Sequence, residues 1–237
     1  MLDRALLERT LAAHGVTLED SAYARLDLYA ERLLATNRQF NLTAVTDPRD
    51  VTIKHFADSL VLLGKTEIPQ GASLLDVGTG AGFPGLALKL ARPDLSVTVL
   101  DGTRKKLGFI ASVLSEAGLS AETLHMRAEE AGKLPKYREK FDFVTARAVA
   151  DMALLLEYCL PFVRVGGLFL AMKSAAAEEE IQNAAGAVRL LGGKIEQDLL
   201  FDLVENMPRR LVFVRKISQT PAKYPRASAK IAKSPLK

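Results

Sequence analysis

The sequence predicts an α/β fold: one seven-stranded, mostly parallel sheet with an antiparallel terminal strand, preceded by a helical arm. Three features of the 237 residues carry this reading. From residue 73 onward short β-rich runs alternate with helical stretches, which implies parallel strands with helices on both faces. The last two runs are joined only by the turn VENMP, too short for a parallel crossover, so they pair antiparallel. Residues 1–64 carry helical periodicity and no strand pattern.

The arm opens with ALLERTLAAHG, ended by Gly15 as a C-cap. Thr17 begins a second helix with Asp20 three residues on, a variant of the capping box. Leu18, Ala22, Leu26, Tyr29 and Leu33 form its apolar stripe. NLTAVT interrupts the pattern. Asp47 then caps a third helix, with Pro48 in its first position and Ile53, Phe56, Leu60 and Leu63 on the core face. His55, Asp58 and Ser59 lie off that face and read as a polar contact from arm to core. Strands are expected at 73–78, 96–101, 122–127, 141–148, 166–173, 194–203 and 209–216, and helices at 84–92, 103–117, 129–133, 151–164 and 175–191. The expected division is 1–66 for the arm, 67–216 for the sheet domain and 217–237 for a basic tail.

Composition fits a globular protein with a sizeable core, at 49% hydrophobic and 25% charged residues. No apolar run reaches the roughly 18 residues of a membrane span, and the first ten residues are charged throughout, so a cytoplasmic location away from membranes is expected. The lone Cys159 excludes an internal disulfide and a multi-cysteine metal cluster, and reads as a core residue. His14, His55 and His125 are too scattered for a metal site, so no metal is expected. The net charge of +4 is unevenly spread. Residues 215–237 hold seven Lys/Arg and no acid, leaving 25 bases against 28 acids elsewhere. Such a segment either touches phosphates or is a solvated, partly disordered tail.

The densest signal is DVGTGAGFPG, residues 76–85. In open α/β sheets ligands sit beyond the carboxyl ends of the strands, where strand order reverses. Gly78, Gly80 and Gly82 let a ligand lie against bare backbone there. Gly80, Gly82 and Gly85 also match G-x-G-x-x-G, the dinucleotide fingerprint. Register argues against a dinucleotide: the glycines start two residues after Asp76, and Pro84 stands where the helix should open onto a pyrophosphate. An anionic Asp76 suits a ligand with a cationic amino group and would repel a diphosphate. S-adenosylmethionine carries such a group. The next strand ends in Asp101, where an acid accepts from both ribose hydroxyls; this supports an adenosine without saying which. Ala128 and Glu129, after the third strand, are placed to border the adenine. The fold is then the Rossmann-like class I S-adenosylmethionine-dependent methyltransferase type.

The acceptor is narrowed by what is missing. Methylation of a pyrimidine ring carbon requires a cysteine near the fourth strand, whose end reads FVTARAVAD, with Cys159 a helix away. Amino-group methylation usually employs an Asn/Asp-Pro-Pro-aromatic turn, also absent. A site lacking both suits an acceptor with an in-plane lone pair and no proton to remove, for which orientation can serve, while leaving open a base supplied from elsewhere in the fold. Arg147, at the carboxyl end of the fourth strand, faces this crevice and is the best catalytic candidate. It donates to the acceptor base or to the cofactor carboxylate, unless it pairs with Asp151. Arg104, Lys105 and Lys106 begin a helix, an unfavourable end for cations, which suits a phosphate partner or plain solvent. Arg127 contacts phosphate or fixes its loop. Arg209, Arg210, Arg215 and Lys216 flank the last strand and, with Lys223, Tyr224 and Arg226, form a strip suited to RNA.

The stretches DVGTGAGFPGLALKLARPDLSVTVLDGTRKKLGFI, HMRAEE and FDFVTARAVADMALLLEYCLPFVRVGGLFLAMKS resemble the bacterial glucose-inhibited division protein B family. The likeness extends to NLTAVTDPRDVTIKHFADSL upstream and YPRASAKIAKSPL downstream, so it covers nearly the whole chain. It implies a methyltransferase acting on N7 of one guanine in 16S ribosomal RNA, free or in the small ribosomal subunit, and a monomer. It also implies S-adenosylmethionine contacts at Gly78, Phe83, Ala128, Glu129 and Arg147. On the residues alone, Phe83 either packs on the methionine portion or staples the helix start. Gly102 departs from the family pattern, which more often has Ala or Ser there. Two rival functions fit the same fold: a small-molecule methyltransferase, which needs no basic tail, and a non-catalytic RNA-binding module, which needs no cofactor.

Overall fold

The computed structural model describes residues 2–236. Seven strands form one sheet: β1 (Ser73–Val77), β2 (Ser96–Asp101), β3 (Glu122–His125), β4 (Phe141–Arg147), β5 (Val163–Ser174), β6 (Gly193–Asp202) and β7 (Pro208–Lys216). Their order is β3-β2-β1-β4-β5-β7-β6. β1–β4, β4–β5 and β2–β3 pair parallel, and β7 runs antiparallel to both β5 and β6. The expected hairpin of the last two strands is therefore present, and its return strand inserts beside β5, leaving β6 at the edge. Strand order reverses at β1/β4, the position where open α/β sheets bind ligands. β5 begins three residues before its expected start, because a register shift and Gly166 at φ +85° let Val163 pair with Phe141.

By contacts the chain forms two compact units: residues up to Ala72 with Thr79–His125, and Ser73–Gly78 with Met126 onward. The grouping does not follow a boundary at residue 66. In the first unit, α1 (Arg4–Ala12) is capped by Asp3 Oδ1, which accepts from Leu6 N, and Gly15 at φ +74° lies three residues past its end. α2 (Asp20–Asn37) starts later than expected, at Glu19 and without a side-chain cap. Asp20 forms no capping box with Thr17, because it is the first residue of the helix and not the third; its carboxylate pairs with Arg4. The stripe of α2 is as expected: Leu26, Tyr29 and Leu33 are buried completely. They explain the grouping, since α2 packs on α6 (Gly85–Ala91) and α7 (Arg104–Glu116). α3 (Pro48–Val51) has the expected Asp47 cap, with Oδ1 accepting from Asp50 N. Its continuation, Thr52–Ala57, winds as a π-helix, a form the periodicity did not show, before α4 (Asp58–Leu60) and α5 (Leu62–Lys65).

In the second unit, α8 (Ala128–Ala131), α9 (Met152–Cys159) and a 3-10 turn Leu160–Phe162 lead into β5. The single helix expected over 175–191 is two, α10 (Glu178–Asn183) and α11 (Ala185–Leu190), parted at Ala184. α12 (Ser228–Lys233) lies in the basic tail and contacts α9. Cys159 is buried in the core, and burial, with the Asp76 carboxylate in support, pushes its thiol well above the usual range. It is inert, as its sequence context suggested. Among the described residues no helix is long and apolar enough to cross a membrane, and no group of three His, Cys, Asp or Glu could hold a metal.

Candidate active site

In the second unit the site begins at the end of β1. Asp76 is completely buried and its Oδ1 accepts from Thr145 Oγ1 at 3.0 Å, its register partner on β4. That hydroxyl takes one acceptor position of the carboxylate, which has further lone pairs for other donors. Gly78 follows at φ +69°, and a Cβ there would lie 2.8 Å from Val149 Cγ2. Glycine is required twice over, by conformation and by the approach of the loop after β4. That loop runs from Arg147, half-buried, through Ala148 at φ +54° to Asp151. Glu129 is buried at the start of α8 and Ala128 beside it is half-buried; exposed Arg127 lies 3.6 Å from the Glu129 carboxylate.

In the first unit the glycine bend is tied to the end of β2. Thr79 N donates to Leu100 O at 3.1 Å. Asp101 accepts from Gly80 N at 3.0 Å on Oδ2 and from Thr103 N at 2.8 Å on Oδ1. Each carboxylate oxygen so bonded keeps a further lone pair, the capacity a pair of ribose hydroxyls requires. Gly80 (φ +59°) and Gly82 (φ +113°) complete the bend, with Tyr29 Oη donating to Ala81 O at 2.7 Å. Thr79 Oγ1 is buried without a partner, an orphaned hydroxyl inside the bend. An alternating-glycine backbone, a clasped carboxylate and an orphaned polar atom fit an adenosine with a cationic tail. They fit a diphosphate poorly, because Asp101 already occupies the Gly80 N–H that would cradle one.

Phe83 is buried between two rings, stacked on His55 at 4.7 Å and on Tyr29 at 4.9 Å, with Phe56 edge-on at 5.2 Å. These ring contacts hold Phe83 in an aromatic cluster, and it anchors the bend, its N–H donating to Thr79 O at 3.0 Å. His55, expected as a plain polar contact, is thus a stacking partner, and its Nε2 lies 2.7 Å from Thr43 Oγ1. Sequence reasoning missed this cluster, whose only signal was four aromatic residues scattered over 55 positions. Thr145 was missed too, although a lone hydroxyl inside the apolar run FDFVTARA was a visible signal.

The expected RNA-facing residues divide. Arg104 and Lys105 are exposed and Lys106 half-buried, in a first turn without acids. Lys223 is exposed and Arg209 half-buried. Arg210 has a side chain only 10% exposed, its guanidinium 3.1 Å from Asp198 and 3.6 Å from Glu178, with Nε and Nη1 making no hydrogen bond among the described residues. Arg226 is a correction: it donates three bonds of 2.6–3.1 Å to the fully buried Glu157. A guanidinium so committed is not available to phosphate. Arg215 pairs with Glu196, and Lys216 is wholly buried, donating to Leu160 O at 2.7 Å and to Thr220 Oγ1. Burial pushes the Lys216 ammonium down to about 8. The tail is not a loose strand: Thr220, Tyr224 and Ile231 are buried, and Arg138 donates to Thr220 O and Tyr224 O.

A family model described as rRNA small subunit methyltransferase G matches residues 22–198. The chain is 43% identical over 229 residues to the ribosomal RNA small subunit methyltransferase G of Leuconostoc mesenteroides, covering 95% of this chain and 96% of that one. To the protein of the same name from Pelotomaculum thermopropionicum it is 44% identical over 224 residues, 94% of each. Among solved structures, a SAM-dependent O-methyltransferase from Thermotoga maritima superposes with TM-score 0.54 at 16% identity, over 79% of this chain and 72% of that one. TrmN from Thermus thermophilus gives TM-score 0.52 at 19% identity, over 67% and 48%. These two likenesses bear on the fold.

Proposed function

Since the chain belongs to the rRNA small subunit methyltransferase G family, we propose that it methylates N7 of one guanine in 16S ribosomal RNA, using S-adenosylmethionine. The observation that carries this reading is the match to that family over nearly the whole chain. Asp76 faces the cationic amino end of the cofactor, Asp101 accepts from the ribose, and the backbone of Gly78, Gly80 and Gly82 lies along it. Ala128 and Glu129 border the adenine, and Phe83 contributes through its backbone. The cofactor supplies an electrophilic methyl group on a sulfonium.

The chain's own work is alignment, which can supply roughly 7–11 kcal/mol of barrier reduction. Arg147 donates to guanine O6 or to the cofactor carboxylate, and either choice leaves the N7 lone pair open. No base is needed, because N7 carries no proton. The target guanine must leave its stack, so a pocket needs a phosphate grip beside it. We assign that grip to Arg104, Lys105, Lys106, Arg127, Arg209 and Lys223. The protein works as a cytoplasmic monomer, without a metal.

Purified protein incubated with methyl-labelled cofactor and small ribosomal subunits tests this. Borohydride and aniline then cleave RNA only at N7-methylated guanine. Cleavage at a single guanine is expected, lost at least 100-fold in Arg147→Ala while that variant melts as the wild type does. Label appearing on an amino group or a ring carbon, or none in RNA, contradicts the reading.

A further inference from the structure

The loop between β4 and α9 has little of its own to hold it. It is built from Arg147, Ala148, Val149, Ala150 and Asp151, and Ala148 sits at φ +54°, a left-handed conformation that residues other than glycine adopt only when surroundings impose it. Val149 is 38% exposed, and α9 has no side-chain cap from Asp151. Two side chains, Lys173 on β5 and Glu180 on α10, make up for this. Lys173 stands one residue beyond Met172, the register partner of Arg147, and its Nζ donates to Ala150 O at 2.8 Å. The same Nζ lies 2.9 Å from Glu180 Oε1, on α10. Glu180 Oε2 accepts from Met152 N at 2.8 Å, the bond a cap would have made. One ion pair thus grips both ends of the second half of the loop.

We propose that the Lys173–Glu180 ion pair is a positioning clamp that sets the loop carrying Arg147 and Val149 for methyl transfer. The inference rests on the function proposed above. Both members are largely buried, at 11% and 24% side-chain exposure, so solvent screens them less than a surface pair. Arg210, opposite Lys173 in the β5–β7 register, has its own acids in Asp198 and Glu178 and leaves Glu180 to Lys173. The loop held this way packs Val149 over Gly78, leaving no room for a Cβ there. Lys173 and Glu180 are positioning residues: they act on backbone groups of the loop, and Arg147 acts on the reactants. A displacement of about 1 Å at such a loop costs on the order of 100-fold in turnover.

Three variants test the clamp: Glu180→Gln, which keeps an acceptor for Met152 N but removes the charge; Lys173→Met, which removes the donor; and Lys173→Arg, the conservative variant. Amide exchange over 148–152, S-adenosylhomocysteine affinity, and kcat and KM on small subunits are measured for each. The expected result is faster exchange over 148–152 in Glu180→Gln and Lys173→Met, with kcat down at least tenfold. Affinity for S-adenosylhomocysteine changes less than threefold, and Lys173→Arg recovers most of kcat. Unchanged exchange in both variants overturns the clamp, whatever the RNA result. Unchanged kcat with faster exchange overturns its role in positioning. Affinity lost in proportion to kcat overturns it in favour of a support for the cofactor site. A wild-type protein that transfers no methyl to small subunits overturns the proposed function, and with it the catalytic use of the clamp.

Discussion

Gly78 concentrates the argument into one backbone position. At φ +69° any side chain is strained, and a Cβ would press on Val149 Cγ2 at 2.8 Å. Gly78→Ala should cost about 1–3 kcal/mol in stability by strain. It should also weaken S-adenosylhomocysteine binding at least tenfold, since the bend cannot keep its shape; thermal melts and calorimetry read the two effects. Asp101→Asn turns one acceptor oxygen toward a donor as an NH2 group, against Gly80 N or Thr103 N. A lost bond of this kind is worth about 1–3 kcal/mol, so calorimetry should show binding weaker by about fivefold or more. Glycines and acids at strand ends were legible in sequence because their spacing is local. The partners of the basic residues were not. Arg226 meets Glu157 across 69 residues and Arg210 meets Asp198 across a hairpin, so a count of positive charges overstated what phosphate can reach.

At the scale of elements, every strand was legible to within a few residues, because alternation and turn residues are written along the chain. The π-helical turn at Thr52–Ala57 was not, since an apolar face at 53, 56 and 60 reads as ordinary helix. Nor was the docking of the tail, which depends on buried Lys216 and Glu157 and half-buried Arg138 and Glu139 rather than on the tail's own pattern. Glu157→Gln should loosen that docking: removing one partner of a buried pair costs about 3–5 kcal/mol. Faster amide exchange over 220–233 is the expected readout. Lys216 adds a pH signature. Its ammonium is pushed down to about 8, chiefly by burial, with Glu139 opposing and Arg138 assisting. Below that pH both folded and unfolded chains are protonated, and the cost of burying the charge is fully present. As pH rises from about 8 toward the ordinary lysine value, the unfolded chain holds more protons, so this cost is progressively relieved. The stability of the wild type minus that of Lys216→Met should therefore rise between pH 8 and 10, by denaturant titration at each pH; a flat difference would remove Lys216 as the source.

Across the whole molecule, fold and cofactor class were legible together, because a seven-stranded sheet ending in an antiparallel hairpin, with Asp76 near the end of β1 and Pro84 at the start of the next helix, argues against the dinucleotide alternative. The charge asymmetry survives in reduced form: with Arg210, Arg215, Lys216 and Arg226 internally paired, the exposed tail lysines 223, 230 and 233 remain. Replacing Arg104, Lys105 and Lys223, three exposed members of the assigned grip, with alanine should lower the slope of log affinity against log salt by about 2 for single-stranded RNA, at roughly 0.7 per contact. An unchanged slope would place the phosphate grip elsewhere. The account as a whole is tested most directly by comparing N7-methylguanine in 16S ribosomal RNA from cells with and without this protein, with a third strain carrying Arg147→Ala. One guanine should lose its N7 methyl both on deletion and in the Arg147→Ala strain. An identical methylation map in all three strains would contradict it.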